Sequence, residues 1–180
     1  MPEPDARTQA RALANEYLSR SDPLGWFEPL YAKADGQSSA VPWADLKPNP
    51  NLTTWLDRER TDGAGRTAMT VGCGLGDDAE ELAKRGFNVA AFDISPTAIN
   101  WARRRFPESR VDYSATDLFA TPQTWSRAFD FVFEAYTLQV LPKELRRRAV
   151  DCIADLVAPD GQLLIIVRAH DGKPTQGTIP

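Results

Sequence analysis

After residue 61 the sequence settles into one rhythm. Short apolar runs, "RTAMTV", "NVAAFD", "SRVDYSA", "AFDFVFEAY" and "GQLLIIVRA", alternate with amphipathic stretches, "DDAEELAKRG", "SPTAINWARRRF" and "PKELRRRAVDCIADLV". Strands separated by helices at this spacing pair in parallel, because a parallel neighbour is reached only through a crossover. The runs are nearly continuous in apolar residues, as strands buried on both faces require. Gly86 closes the first of these helices. Ser95 caps the second, with Pro96 in its first position. The expectation is a doubly wound α/β domain with five parallel strands.

The first 60 residues read differently. "DARTQARALANEYLSR" spaces Ala, Leu and Tyr as one helix face. "SDPLGWFEPLYAKA" reads as a second helix, capped by Ser21 or Asp22 with Pro23 in its first turn. Asp35 to Pro50 is a Gly-, Ser- and Pro-rich loop carrying Trp43. A third helix starts at Asn49 or Asn51 and sets Leu52, Trp55 and Leu56 on one face.

The chain has 180 residues, a net charge of −4 and 26% charged residues. That is one soluble domain with a real core. An acidic balance argues against nucleic acid or an anionic membrane as the main partner. No apolar run approaches the roughly 20 residues that span a bilayer. "MPEPDARTQA" is too polar for a signal peptide, and Cys73 and Cys152 lie far apart, so a cytoplasmic protein with reduced thiols is expected. No residues show metal-ligand spacing.

The first helix of the alternating region follows a glycine loop, "TVGCGLGDDAEELAKRGFNVAAFD". Gly72, Gly74 and Gly76 permit a tight turn and close approach of backbone to a ligand. Asp93 ends the next strand, where an acid accepts hydrogen bonds from a ribose. Together these point to an adenosine ligand at the carboxyl ends of the strands. The spacing is not Gly-x-Gly-x-x-Gly, and Asp77 and Asp78 occupy the helix start where a pyrophosphate would sit. Acids there favour a ligand without phosphate and with a cationic sulfonium or ammonium: S-adenosylmethionine.

The segment "MTVGCGLGDDAEELAKRGFNVAAFDISPTAINWARRRF" resembles the class I S-adenosylmethionine-dependent methyltransferases. "WFEPLYAKADGQSSAVPWADLKPNPNL" is similar to the thiopurine methyltransferase-like branch, which methylates thiols, halides and tellurite; Phe27, Glu28, Tyr31, Pro42, Trp43, Asn49 and Pro50 carry the likeness. The resemblance implies a Rossmann-like sheet of order 3-2-1-4-5. It makes residues 1–60 a helical lid and 61–180 the core. Gly72, Cys73, Gly74 and Gly76 would line the methionine end of the cofactor, whose product is S-adenosylhomocysteine, and Asp78 is a further cofactor-binding candidate. Asp93, Ile94 and Ser95 would hold ribose and adenine, with Thr116, Asp117 and Leu118 bordering the adenine. Glu134, Ala135 and Tyr136 would lie beside the transferring methyl, and Trp43 would fold over the sulfonium. Tyr31 and Arg168 are substrate-side candidates, Arg168 for an anionic group.

Methyl transfer to a soft nucleophile needs alignment and exclusion of water more than a dedicated base. Tyr136 and His170 are the catalytic candidates. Trp26, Trp55, Trp101 and Trp125 read as packing residues. Arg103 to Arg105 and Arg146 to Arg148 read as solvated helix faces. The resemblance implies a sheet of seven strands, of which the sequence reading finds five and not strands 6 and 7, so a C-terminal truncation, a short natural variant or strands borrowed from a partner is expected, as a monomer or a strand-sharing dimer. The alternatives are a nicotinamide oxidoreductase, disfavoured by the loop spacing, a binder without catalysis, and transfer to an oxygen or nitrogen acceptor.

Overall fold

The computed structural model describes residues 5–168. Three helices come first: α1 (Ala6–Ser19), α2 (Phe27–Ala34) and α3 (Pro50–Arg58). The alternating region follows as β1 (Thr67–Val71), α4 (Asp77–Lys84), β2 (Asn88–Asp93), α5 (Pro96–Arg105) and β3 (Asp112–Ala115). It continues with β4 (Phe129–Ala135), α6 (Thr137–Val140), α7 (Lys143–Asp155) and β5 (Val157–Ile166). All strand pairs are parallel, in the order β3-β2-β1-β4-β5. The chain therefore winds outward from β1 and then returns to its other side at β4. That reversal opens a crevice at the carboxyl ends of the strands.

Alternate residues of the central strands leave on opposite faces. On one face Ala68, Phe131 and Phe133 pack with Leu52 and Leu56 of α3 and Ala79 and Leu82 of α4. On the other, Met69, Val71 and Val132 pack with Ala149 and Ile153 of α7. Phe131 sits between the rings of Trp55 and Phe87, 5.5 Å from each and close to parallel with both. Trp55 is thus the packing residue its place on α3 suggested.

Helices α1 and α2 form a third cluster, centred on Leu13, Trp26, Leu30 and Tyr31. It meets the rest of the domain through Leu75 of the glycine loop and Ala98 and Trp101 of α5.

One helix start differs from the expectation. Asp22 Oδ1 accepts the Gly25 N–H at 2.9 Å, and Ser21 has a left-handed backbone with φ 59°. The Asp22 side chain thereby closes a turn instead of capping a helix, a known competition for short polar side chains. Helix α2 begins only at Phe27, with Trp26 at its cap position and no side-chain cap bond. At α3 the reading with Asn49 holds: its side chain accepts the Asn51 N–H, with Pro50 behind it.

Candidate functional site

A cavity of about 320 Å³ opens at the carboxyl ends of the strands. Gly72, Cys73 and Gly74 follow β1 into its wall; Asp93 and Ile94 enter from β2. Thr116, Asp117 and Leu118 come from the segment after β3, and Ala135 and Tyr136 from the end of β4. The N-terminal segment supplies Phe27, Tyr31, Pro42 and Trp43. Asp78 and Arg168 complete the set of sequence candidates that line it.

The glycine loop is held by both its neighbours. Asp93 is 7% exposed, and its two oxygens accept the Gly74 N–H at 2.9 Å and the Ser95 N–H at 3.0 Å. A carboxylate has about four acceptor positions, so these two bonds do not exhaust it. Burial pushes its carboxyl up, against the pull of the Ser95 and Gly74 amides. Gly72 adopts φ 61°, and a Cβ there would lie 2.3 Å from the Thr137 hydroxyl oxygen. Glycine is thus required twice over at this position.

Behind the loop, Asp77 is locked by Arg105 of α5, at 2.5 and 2.7 Å to the two carboxylate oxygens. The same guanidinium donates to the Leu75 carbonyl at 2.7 Å. The first turn of α4 carries Asp77, Asp78 and Glu80, so its positive end is already met by acid. Acids at this helix start disfavour a phosphate there.

Three sequence candidates lie off the cavity. Gly76 serves packing: it has φ 93°, and a Cβ would approach the Tyr113 hydroxyl to 2.4 Å. Ser95 turns inward, where its hydroxyl accepts the Ala98 N–H at 3.0 Å and donates to Glu28 at 2.5 Å. Glu134 is fully buried beneath α6; its Oε1 accepts the Leu138 N–H at 3.0 Å, and its Oε2 has no partner among the described residues. Burial raises its carboxyl to about 7, with Leu138 and Thr137 opposing in part. His170 lies outside the described residues.

The N-terminal segment is fixed over the cavity by few polar contacts. Glu28 accepts from Ser95 Oγ and Thr97 Oγ1 at 2.5 Å each, and from the Thr97 N–H at 3.1 Å. Burial alone would raise this carboxyl, but those bonds from Ser95 and Thr97 outweigh it and hold it low. Further along, the Asn49 N–H donates to Asp78 Oδ1 at 2.6 Å. Trp43 Nε1 donates to the Tyr31 hydroxyl at 2.8 Å, and the Trp43 ring stands edge-on to Trp26 and Tyr31. Burial, then the nearby Asp93 charge, push the Tyr31 hydroxyl well above its usual range, so it stays protonated. The Cys73 thiol is raised by the same two causes, against nucleophilic use.

Tyr136 holds a left-handed backbone, φ 67°, directly before α6. Strain of that kind in a non-glycine residue concentrates at functional sites. The Arg168 guanidinium stands 5.5 Å from the Tyr136 ring centroid, and its main-chain N–H donates to Gln139 Oε1 at 3.0 Å.

Arg105 was hidden in a run read as a solvated face. So was Arg146, whose guanidinium binds the Gln139 and Leu141 carbonyls at 3.0 and 2.9 Å. Arg7 and Lys47 also line the cavity and carry no sequence signal that separates them from ordinary surface cations.

A family model described as "Methyltransferase domain" matches residues 68–161. An Azoarcus sp. (strain BH72) ubiquinone biosynthesis O-methyltransferase is 32% identical over 67% of this chain and 53% of its own length. A probable thiol methyltransferase 2 of Arabidopsis thaliana is 25% identical, over 91% of this chain and 70% of its own. The chain thus spans about half the length of the ubiquinone-type relatives. Among solved structures, one from the conversion of a disulfide bond into a thioacetal group during echinomycin biosynthesis superposes with a TM-score of 0.66 at 24% identity, covering 77% of this chain and 57% of that one. Because the family match runs from β1 into β5, and so takes in all five strands that end on the cavity, the chain belongs to the S-adenosylmethionine-dependent methyltransferase domain family.

Proposed function

We propose that this domain binds S-adenosylmethionine in the strand-end cavity and serves methyl transfer to a small thiol or related soft nucleophile. The carrying observation is the pairing of Asp93 with the glycine loop at the reversal of strand order, under an aromatic cover. In this reading Asp93 takes the ribose hydroxyls, and Thr116, Asp117 and Leu118 border the adenine. Gly72, Cys73 and Gly74 meet the methionine end. The Trp43 face lies toward the sulfonium, since aromatic faces attract cations. The bound cofactor supplies a methyl group on a good leaving group. The chain's own part is to align the acceptor and keep water out with Trp43, Tyr31 and Tyr136.

The thiol assignment draws support from the extent of one likeness. An alignment over 91% of the chain takes in most of the helical segment before β1, whereas one over 67% need not. The ubiquinone-type relatives favour an oxygen acceptor instead, and both small-molecule readings keep the same cofactor. Competition kinetics decide between them. Expected is a preference for thiols, halides or chalcogen oxyanions; preference for a phenolic oxygen over all of these overturns the acceptor assignment alone. Failure of titrated S-adenosylmethionine to bind overturns the whole reading.

A further inference from the structure

Helix α6 has four residues, a single turn. A helix that short does not sustain itself in water, because its first turn costs more backbone order than its hydrogen bonds return. Yet Tyr136, Thr137, Gln139, Val140 and Leu141 all line the cavity, while Leu138 turns into the core on the α7 side of the sheet. The order of this piece of wall comes from outside it. At its start, Oε1 of the buried Glu134 accepts the Leu138 N–H at 3.0 Å. At its end, Arg146 of α7 donates from Nε to the Leu141 carbonyl at 2.9 Å and from Nη2 to the Gln139 carbonyl at 3.0 Å. The Gln139 side chain in turn takes the main-chain N–H of Arg168, just past β5. These bonds meet the groups that a single turn leaves without partners. An acid at the amino end and a cation at the carboxyl end also match the helix dipole. Arg146 is partly buried, whereas Arg147 and Arg148 beside it are exposed.

We propose that Glu134 and Arg146 are positioning residues for this site: they hold α6 docked before a ligand arrives, so that its outer face is a preformed part of the cavity wall. The proposal rests on the reading of the cavity as the cofactor site. A preformed wall spares the ligand the cost of ordering it. Where α6 is loose in part of the molecules, affinity falls by the fraction that remains docked. The Glu134 end brings a dependence on pH. Its Oε2 has no partner among the described residues, so a negative charge there meets no donor. The strand β1 and α6 itself carry no ionisable residue, and Asp160 of β5 is exposed. The charged side chains at α6 are Arg146 at its far end and Arg168 over the Tyr136 ring. Burial raises the Glu134 carboxyl to about 7, against the bonds from Leu138 and Thr137. Docked α6 thus holds the proton more tightly than loose α6, and docking weakens as pH rises through about 7.

The probe is S-adenosylhomocysteine, titrated by calorimetry, with hydrogen exchange of residues 136–141 followed in the same proteins. Arg146→Ala is expected to quicken exchange in that segment of the free protein and to leave β1 and β4 protected. Saturation with the probe is expected to restore slow exchange, and affinity to fall about tenfold, as loss of charge-assisted hydrogen bonds allows. Should this variant not fold, Arg146→Lys, which keeps the charge without the fork that spans two carbonyls, carries the same expectations at smaller size. Glu134→Gln keeps the acceptor for Leu138 and cannot ionise. It is expected to match the parent's affinity at pH 6 and to bind about threefold tighter or more at pH 8, where the parent has lost its proton. Residues that served only the stability of the fold would leave that ratio flat in protein shown by urea titration to be folded at both pH values. Faster exchange with unchanged affinity, weaker binding with unchanged exchange, loosening spread over the whole molecule, or a flat Glu134→Gln ratio each overturns the proposal. Failure of the probe to bind the unaltered protein overturns the cofactor reading itself, and this inference with it.

Discussion

The sheet and the N-terminal segment are both apolar inside, yet they are held in place by different means. The sheet is gripped on two faces by helices, and its central strands are buried along their length. Helices α1 and α2 bury a core among themselves that meets the domain at Leu75, Ala98 and Trp101 and is tied to it by the carboxylate of Glu28, with Asp78 holding the end of the following loop, whereas α3 packs Leu52 and Leu56 into the sheet's own core. Burial without direction fixes the first; a few directed hydrogen bonds fix the second. The sheet is thus expected to be the more resistant part, and the segment over the cavity the part that opens first.

The strongest way to break this contrast is at Phe131. Cutting its ring from between Trp55 and Phe87 in Phe131→Ala is expected to cost about 3–5 kcal/mol in urea unfolding, as large-to-small core changes do. A loss below about 1 kcal/mol would mean that the sheet core is not the more resistant part.

Glu134 is the exception within that core, an acid buried under α6. Its carboxyl sits at about 7 in the fold against the usual 4.5. The folded state therefore holds the proton more tightly than the unfolded chain, and stability falls as pH rises from about 4.5 through 7. The full span is on the order of 3 kcal/mol. Glu134→Gln, which keeps the acceptor for Leu138, is expected to flatten that dependence and to be more stable than the parent at pH 8. Denaturation of both proteins at pH 5 and pH 8 checks it; parallel slopes would remove Glu134 as the cause.

The smallest effect is the most local. Glu28→Ala strips partners from Ser95, Thr97 and the α5 start, at about 1–3 kcal/mol. Hydrogen exchange is expected to quicken in α2 and in the loop around Trp43, while β1 and β4 keep their protection. Uniform loosening across the molecule would erase the distinction between sheet and cover.

The same contrast explains what the sequence disclosed. Strands buried on two faces announce themselves as runs such as "AFDFVFEA", and a strand-end acid such as Asp93 follows from them. The start of α2 was misplaced because the Asp22 side chain closes a turn that periodicity does not register. At Gly76 the structure adds a packing demand that the sequence does not register: a Cβ there would approach the Tyr113 hydroxyl to 2.4 Å. Arg105 was invisible for an opposite reason: three arginines in a row look alike until the fold brings one of them onto Asp77.

Gly72 and Thr137 carry a further consequence. No side chain fits at 72 without displacing the first residue of α6, which follows the strained Tyr136. The two positions form a single steric unit, so neither drifts alone. A redesign that seeks room in the cavity at Gly72 has to relocate the start of α6 with it.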